Sequence, residues 1–326
     1  MKIIFVIIAA VLVLIGCAST PTGNIEAFGL ATSNITEKID SMVSDYNAAN
    51  INDQLVVMAQ SDKKYVRSDF DPIKKIIMRN SDKKNFALYK ANKALGDYSE
   101  SLTALARAGS KEEIAMAGVK LSTSLKEMNE QYKDLSENNS DLISDESGGS
   151  ISRVVSELSA YYVENKRGEA LKKIIITADA SVQAIGKVIN DQLLKGVIEG
   201  RLYAMRSNEL SGYFSDYNSK AKTDSFASKK KSLDEIYKKY IEMESATATM
   251  IQAQKAILSV MAAHSKIKDE LKNDKFSSKK ILKAISDIKI VHKNFNDLEE
   301  LMISCETKIV SDDEKGIICE QSTEAY

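Results

Sequence analysis

Apolar positions recur along most of this chain at alternating steps of three and four residues, the spacing of one buried helix face. The clearest run is Leu233, Ile236, Tyr240, Met243, Thr247, Met250, Gln254, Ile257, Met261, His264, Lys268 and Leu271. Eight of these twelve are apolar and no step is skipped. The pattern predicts a helix from about Ser228 to Leu271 with most of this face buried against partner helices. The same stripe returns as Ile114, Gly118, Leu121, Leu125, Met128, Tyr132 and Leu135, at the period of a coiled-coil seam. A last helix shows it again, from Ile281 through Ile288 and Phe295 to Cys305.

Between these runs the chain predicts further helices. The first covers about Ile25 to Ala59, with Ile35, Ile39, Met42, Val43 and Tyr46 on one face. Pro72 suits the first turn of a second helix capped by Asp71, carrying Ile73 to Leu105, with a break at Asn80-Ser81-Asp82. Ala108-Gly109-Ser110 ends it, and Ser110 with Glu113 forms a capping box for the third. A helix from about Ile151 to Glu164 precedes a long segment from Gly168 to Tyr217. Gly186, Gly196, Gly200 and Gly212 weaken that segment, each by about 1 kcal/mol relative to alanine. The four-residue spacing of Gly196 and Gly200 predicts a close helix crossing or a bend.

No alternating strand pattern bounded by turn dipeptides is visible. The expected class is all-α: an elongated, antiparallel multi-helix bundle with coiled-coil-like seams. Tyr132-Lys133-Asp134-Leu135 aligns with Phe295-Asn296-Asp297-Leu298, which raises the prospect of two related halves. Residues 139–150 are polar and Gly/Ser-rich, and divide an N-terminal half, 25–138, from a C-terminal half, 151–309.

Composition adds that charge is abundant but balanced, with 45 basic and 46 acidic residues and a pI near 6.3. That balance gives no electrostatic footprint for nucleic acid, and no polybasic belt for an anionic membrane.

The start of the chain carries a different message. Met1-Lys2 precede a run without charge from Ile3 to Ile15, too short for a comfortable membrane span. Leu14-Ile15-Gly16-Cys17 then closes it. Residues 1–17 resemble the lipobox signal peptide of bacterial lipoproteins. The resemblance implies that residues 1–16 are removed, that Cys17 takes a diacylglycerol, and that 17–24 tether the body to a membrane. In a double-membrane bacterium, Ala18 after the cysteine favours the outer membrane by the same resemblance. Two remaining cysteines, Cys305 and Cys319, most simply form one disulfide in an exported chain. It would pin a tail at 310–326 through the charged turn Ser311 to Gly316.

No HExxH, GxSxG, Walker loop or GxGxxG is present. No cofactor and no metal site are expected, and the chain is not expected to be an enzyme. His264 falls on the apolar stripe and reads as a buried, hydrogen-bonded histidine; His292 reads as solvent-facing. Glu299-Glu300 and Asp312-Asp313-Glu314 read as solvated faces, and the grouped tyrosines (Tyr161, Tyr162, Tyr203, Tyr213, Tyr217, Tyr237, Tyr240) as core or boundary residues, or as a contact surface where exposed. The expected role is a membrane-anchored, non-enzymatic interaction or scaffold module of the cell envelope, meeting another envelope protein. Two alternatives are a membrane-active protein similar in outline to α-helical pore-forming toxins, and a helical module that binds a small ligand.

Overall fold

A computed structural model describes residues 22–74, 80–135, 164–273, 275, 279–305, 309–312 and 316–319. The lipobox, most of the tether, the 139–150 linker and the predicted helix at 151–163 lie outside these residues.

The described chain is a helical bundle. Its elements are α1 (Thr22–Ala59), a 3₁₀ turn (Arg67–Phe70) running into the short α2 (Asp71–Lys74), α3 (Asn80–Arg107), α4 (Lys111–Leu135), α5 (Glu164–Val188), a π-helical stretch (Ile189–Glu199), α6 (Gly200–Lys220), α7 (Phe226–Lys272) and α8 (Lys279–Ser304). Asn80-Ser81-Asp82, expected as a break, instead begins α3. Ser110 caps α4 as its spacing predicted: its hydroxyl accepts from the Glu113 N–H at 3.2 Å. The Glu113 carboxylate in turn accepts from the Gly109 N–H at 2.6 Å.

One apolar core runs through the body from Ile25 to Phe295 and takes residues from both sides of the linker. Leu95, Leu102, Leu121, Ile174, Val182, Ile257 and Ile288 are all sealed within it. Each such side chain contributes about 1.5–3 kcal/mol by leaving water. Glycines set how closely α1 and α3 approach. A Cβ on Gly29 would lie 2.3 Å from Thr103 Oγ1 and 2.6 Å from the Ser99 carbonyl. On the facing helix, a Cβ on Gly96 would lie 2.8 Å from Thr36 Oγ1. Antiparallel contact at this distance excludes any side chain at either position.

The pair Gly196 and Gly200 behaves differently. A Cβ at Gly200 would meet nothing within 4 Å, and one at Gly196 only the Asp191 carbonyl at 3.3 Å. Among the described residues no other helix comes that close to either glycine. The glycines instead accompany a change of pitch, the eleven-residue π stretch between α5 and α6. Such stretches are rare beyond a single turn.

The chain ends in a small hairpin that the sequence pattern did not announce. β1 (Ile309–Asp312) pairs antiparallel with β2 (Gly316–Cys319), in the register Ile309 to Cys319 and Asp312 to Gly316. It folds back against α8 and is joined to that helix by a disulfide between Cys305 and Cys319, with Cα atoms 5.5 Å apart. Residues 309–312 and 316–319 thus run in opposite directions; residues 313–315 of the charged turn lie outside the described residues.

The α7 stripe is only partly buried, which departs from the expectation. Met250, Ile257, His264 and Leu271 are sealed in the core. Leu233 and Tyr240 are 44% exposed. The amino-terminal end of α7 packs only beside α6, through a small cluster of Leu210, Ile236 and Met243 with Tyr213 and Tyr217. α1, which flanks α6, stops at Ala59, and no other described helix takes its place.

Candidate functional site

The most ordered chemistry in the molecule is a buried chain of hydrogen bonds joining three helices. Tyr98 on α3, His264 on α7 and Asp179 on α5 line up in sequence. The Tyr98 hydroxyl lies 2.9 Å from His264 Nε2, and His264 Nδ1 lies 2.9 Å from Asp179 Oδ1. An ionised carboxylate only accepts, so Nδ1 carries the imidazole proton and donates to Asp179. In neutral imidazole Nε2 is then the acceptor, and the Tyr98 hydroxyl donates to it. Lys268 Nζ donates to Asp179 Oδ2 at 2.7 Å, and Ser265 Oγ to Oδ1 at 3.1 Å. Phe28 of α1 places its ring edge-on to the imidazole, with centroids 5.6 Å apart.

Electrostatics follow from this geometry. Burial alone would raise the Asp179 pKa, but hydrogen bonds from His264 and Lys268 outweigh it and hold the carboxyl well below its usual range. Burial dominates at His264 and lowers its pKa, against the pull of Asp179. Burial likewise pushes the Tyr98 phenol far up, helped by the charge of Asp179. The resting state is therefore Asp⁻, neutral His and neutral Tyr, with Lys268 charged at the edge.

An Asp–His–hydroxyl line has the outline of a nucleophile relay. Here Tyr98 and His264 are both fully enclosed. Two surface clefts of the bundle take no member of this line as lining. The arrangement ties α3, α5 and α7 in one register. A misaligned helix would leave a buried donor or acceptor unpaired, at about 1–3 kcal/mol each.

A second polar layer crosses the bundle further along. Arg206 on α6 forks between Asp45 of α1 and Glu242 of α7, the latter at 2.5 Å. Lys239 bridges Glu209 and Glu242, each at 3.0 Å. Burial works against the Lys239 ammonium, but those two carboxylates outweigh it and its pKa is raised. A cleft of about 300 Å³ opens beside Arg206, lined also by Lys38, Asp45, Glu242 and Phe295. A wider one of about 550 Å³ lies between the end of α1 and α6, with Leu55, Val56 and Tyr213 among its walls.

The residues singled out from sequence fall as follows. Cys17, the expected lipid acceptor, lies outside the described residues, as do Tyr161 and Tyr162. Cys305 and Cys319 are brought together. His264 is buried and doubly hydrogen-bonded, as its place on the stripe predicted. His292 is half-buried instead of solvent-facing, and burial lowers its pKa. Tyr213 and Tyr217 are half-buried, while Tyr203, Tyr237 and Tyr240 are exposed. No group of three or more metal-ligating side chains occurs among the described residues.

Sequence reasoning missed Asp179 and Tyr98 as partners of His264. One signal was available: Asp179 sits between Ile175 and Val182 at helical spacing, so a charge falls on a buried face. Such a charge needs a partner. Also missed was Arg167, buried with its guanidinium on the Ala108 carbonyl at 2.5 Å, which closes the end of α3.

No protein-family model, no curated protein and no solved structure matches this chain.

Proposed function

We propose that this chain is a lipoprotein of the cell envelope, anchored outside the cytoplasm through Cys17, whose helical body is a non-enzymatic interaction module. The observation that carries this reading is the contrast between sealed chemistry and exposed pattern. The ordered polar side chains at Tyr98, His264 and Asp179 are enclosed and serve helix register. Exposed apolar side chains occur on several helices, Met116 and Val119 of α4 among them. Among the described residues, however, the exposed aromatic ones of the α-helices lie on α6 and α7: Tyr203, Phe214, Phe226, Tyr237 and Tyr240. Aromatic side chains outside a core are what contact surfaces use. The anchor itself is supported by the residues Leu14-Ile15-Gly16-Cys17 after an uncharged run. An outer-membrane position follows in a double-membrane organism from Ala18.

Among the described residues no helix is long and apolar enough to cross a membrane. A pore-forming role would need the bundle to unpack before any segment entered a bilayer. Crosslinking in intact envelopes, followed by copurification, tests the proposal. Recovery of a defined envelope partner whose crosslinks map to α6 and α7 is the expected result. Crosslinks confined to the α3–α4 face would defeat it. Cys17→Ser should leave the protein unlabelled by a fatty-acid probe, and normal labelling of that variant would remove the anchor.

A further inference from the structure

We propose that the tip of the α6–α7 hairpin docks on an anionic phospholipid surface facing the membrane that holds the anchor. From Lys220 to Lys231 the chain reads Lys-Ala-Lys-Thr-Asp-Ser-Phe-Ala-Ser-Lys-Lys-Lys, five lysines against one aspartate. A protein of net charge −1 therefore concentrates four positive charges in this one short stretch. The fold keeps them together. α6 ends at Lys220, the chain turns through 221–225, and α7 begins at Phe226.

The tip stands clear of the core. No residue from Ser211 to Glu235 is buried. Phe226 is 84% exposed, more than any other large apolar side chain described. Lys220 pairs with Asp216 and Lys230 with Asp234, both at 2.6 Å and both on the surface. Lys222, Lys229 and Lys231 make no ion pair among the described residues. Neither cleft described above is lined by any residue from 220 to 231, and most side chains there are exposed, so the tip is an open, outward-facing end.

An outward-facing end with one aromatic ring set among free ammonium groups suits a bilayer better than a folded partner. The ring can enter at headgroup level while the lysines reach lipid phosphates around it. A duplex nucleic acid would cover the lysines but leave Phe226 with no apolar volume to fill, and a protein would have to supply an apolar pocket ringed by acidic groups.

The position of the tip adds direction. Arg206 meets Asp45, Asn208 donates to Asp53, and Gly212 packs on Val56, so α6 climbs in parallel with α1. The tip thus lies past the carboxyl end of α1, whereas Cys17 precedes its amino end. α1 has 38 residues, which at ~1.5 Å per residue separates the two ends by roughly 57 Å. The facing arrangement rests on the anchor proposed above; the affinity of the tip for lipid does not.

The test uses mature protein, purified from membranes and reconstituted into immobilised vesicles of phosphatidylcholine. Fluorescent second vesicles are offered, either pure phosphatidylcholine or an equal mixture with phosphatidylglycerol. Capture of the mixed vesicles alone, and its loss in high salt, is the expected result. Combined Lys222→Glu, Lys229→Glu and Lys231→Glu should cut capture by at least about tenfold, and Phe226→Ala by several-fold. Lys222, Phe226 and Lys231 are exposed and Lys229 is half-buried, all clear of the core, so melting of the bundle should not change in either variant, and that is measured alongside. Equal capture of pure phosphatidylcholine, no capture by folded protein, or capture unaffected by the lysine reversals would overturn the proposal. Retention of a duplex oligonucleotide or an acidic protein in place of lipid would overturn it equally. Protein that leaves the first vesicles has lost the anchor reading instead. Cosedimentation of that protein with the mixed vesicles then decides the tip alone, binding supporting it and absence of binding sinking it.

Discussion

The two ends of α7 carry the same apolar spacing and meet opposite fates. From Ala246 to Leu271 the stripe is enclosed, with Met250 at 1% exposure and Ile257 at 0%. At the other end it is more open, with Leu233 and Tyr240 each at 44%, and Phe226 and Tyr237 beside it are at 84% and 60%. Periodicity says that a helix has one sticky side, not that anything will cover it. Cover comes from neighbours, and here α1 ends at Ala59 while α8 packs along the other end of α7. The lesson is that an unbroken stripe that outruns its partners marks either an arm or a contact surface. This one is built as both.

The largest expected effect comes from placing one charge in each region. Ile257→Asp should destabilise the bundle by about 4 kcal/mol or more, since a carboxylate in that position has neither water nor a partner. Leu233→Asp should cost under about 1 kcal/mol, because solvent already reaches the position. Urea unfolding of the two variants checks the contrast. Comparable losses in both would mean that the arm is covered in solution, by a second copy or by the rest of the chain.

The enclosed end also holds His264, which makes its stability sensitive to pH. Burial lowers the His264 pKa. As pH falls, the unfolded chain takes up the proton first, so unfolding gains. The stabilising contribution is whole above the ordinary histidine value of about 6.5 and drains away as pH drops below it. Asp179, whose pKa is also lowered, adds a further loss below the ordinary carboxyl range. His264→Leu should cost about 2 kcal/mol at neutral pH, by leaving Tyr98 unpaired, and should flatten the dependence between neutral and mildly acid pH. Urea midpoints across that range are the measurement. The arm has no histidine, so its variants should keep the wild-type slope.

Glycines sharpen the same comparison at smaller scale. Gly29→Ala should destabilise by about 1–3 kcal/mol, because Ser99 backbone and Thr103 occupy the space. Gly200→Ala meets open space in helical backbone and should be neutral or stabilising by up to about 1 kcal/mol. Thermal melts of both would settle whether the Gly196–Gly200 region is under packing constraint.

Much of this architecture is legible in the chain because helices announce themselves locally. The stripes at Ile114–Leu135 and Ile281–Cys305, the Ser110–Glu113 cap and the burial of His264 all follow from spacing alone. What spacing does not carry is the meeting of distant residues. Tyr98 and His264 are brought together only by tertiary packing, and nothing near either names the other. The close approach at Gly29 was likewise hidden, since its neighbours Ala27, Phe28, Leu30 and Ala31 do not say which helix faces the glycine. The basic tip was legible and overlooked: averaging charge over the whole chain hid the lysines of 220–231.

The smallest effect on the bundle should come from the Cys305–Cys319 bridge. It joins cysteines 14 positions apart, one just after α8 and one in the hairpin. In a chain-entropy argument a loop of that size stabilises the segment it closes by about 3 kcal/mol. That stabilisation is expected on the hairpin, since the core cluster traced among the described residues extends to Phe295 and includes no hairpin residue. Reduction should therefore speed amide exchange at 309–319 and leave the cooperative melting of the helices nearly unchanged. Exchange measured by mass spectrometry, with and without reductant, separates the two. A melting point that falls along with hairpin protection would mean that the tail is folded into the core and that α8 depends on it. Two alkylatable thiols in protein taken directly from the envelope would show that the bridge is absent there. A disulfide-linked dimer in the same sample would move its role from holding the tail to joining two copies.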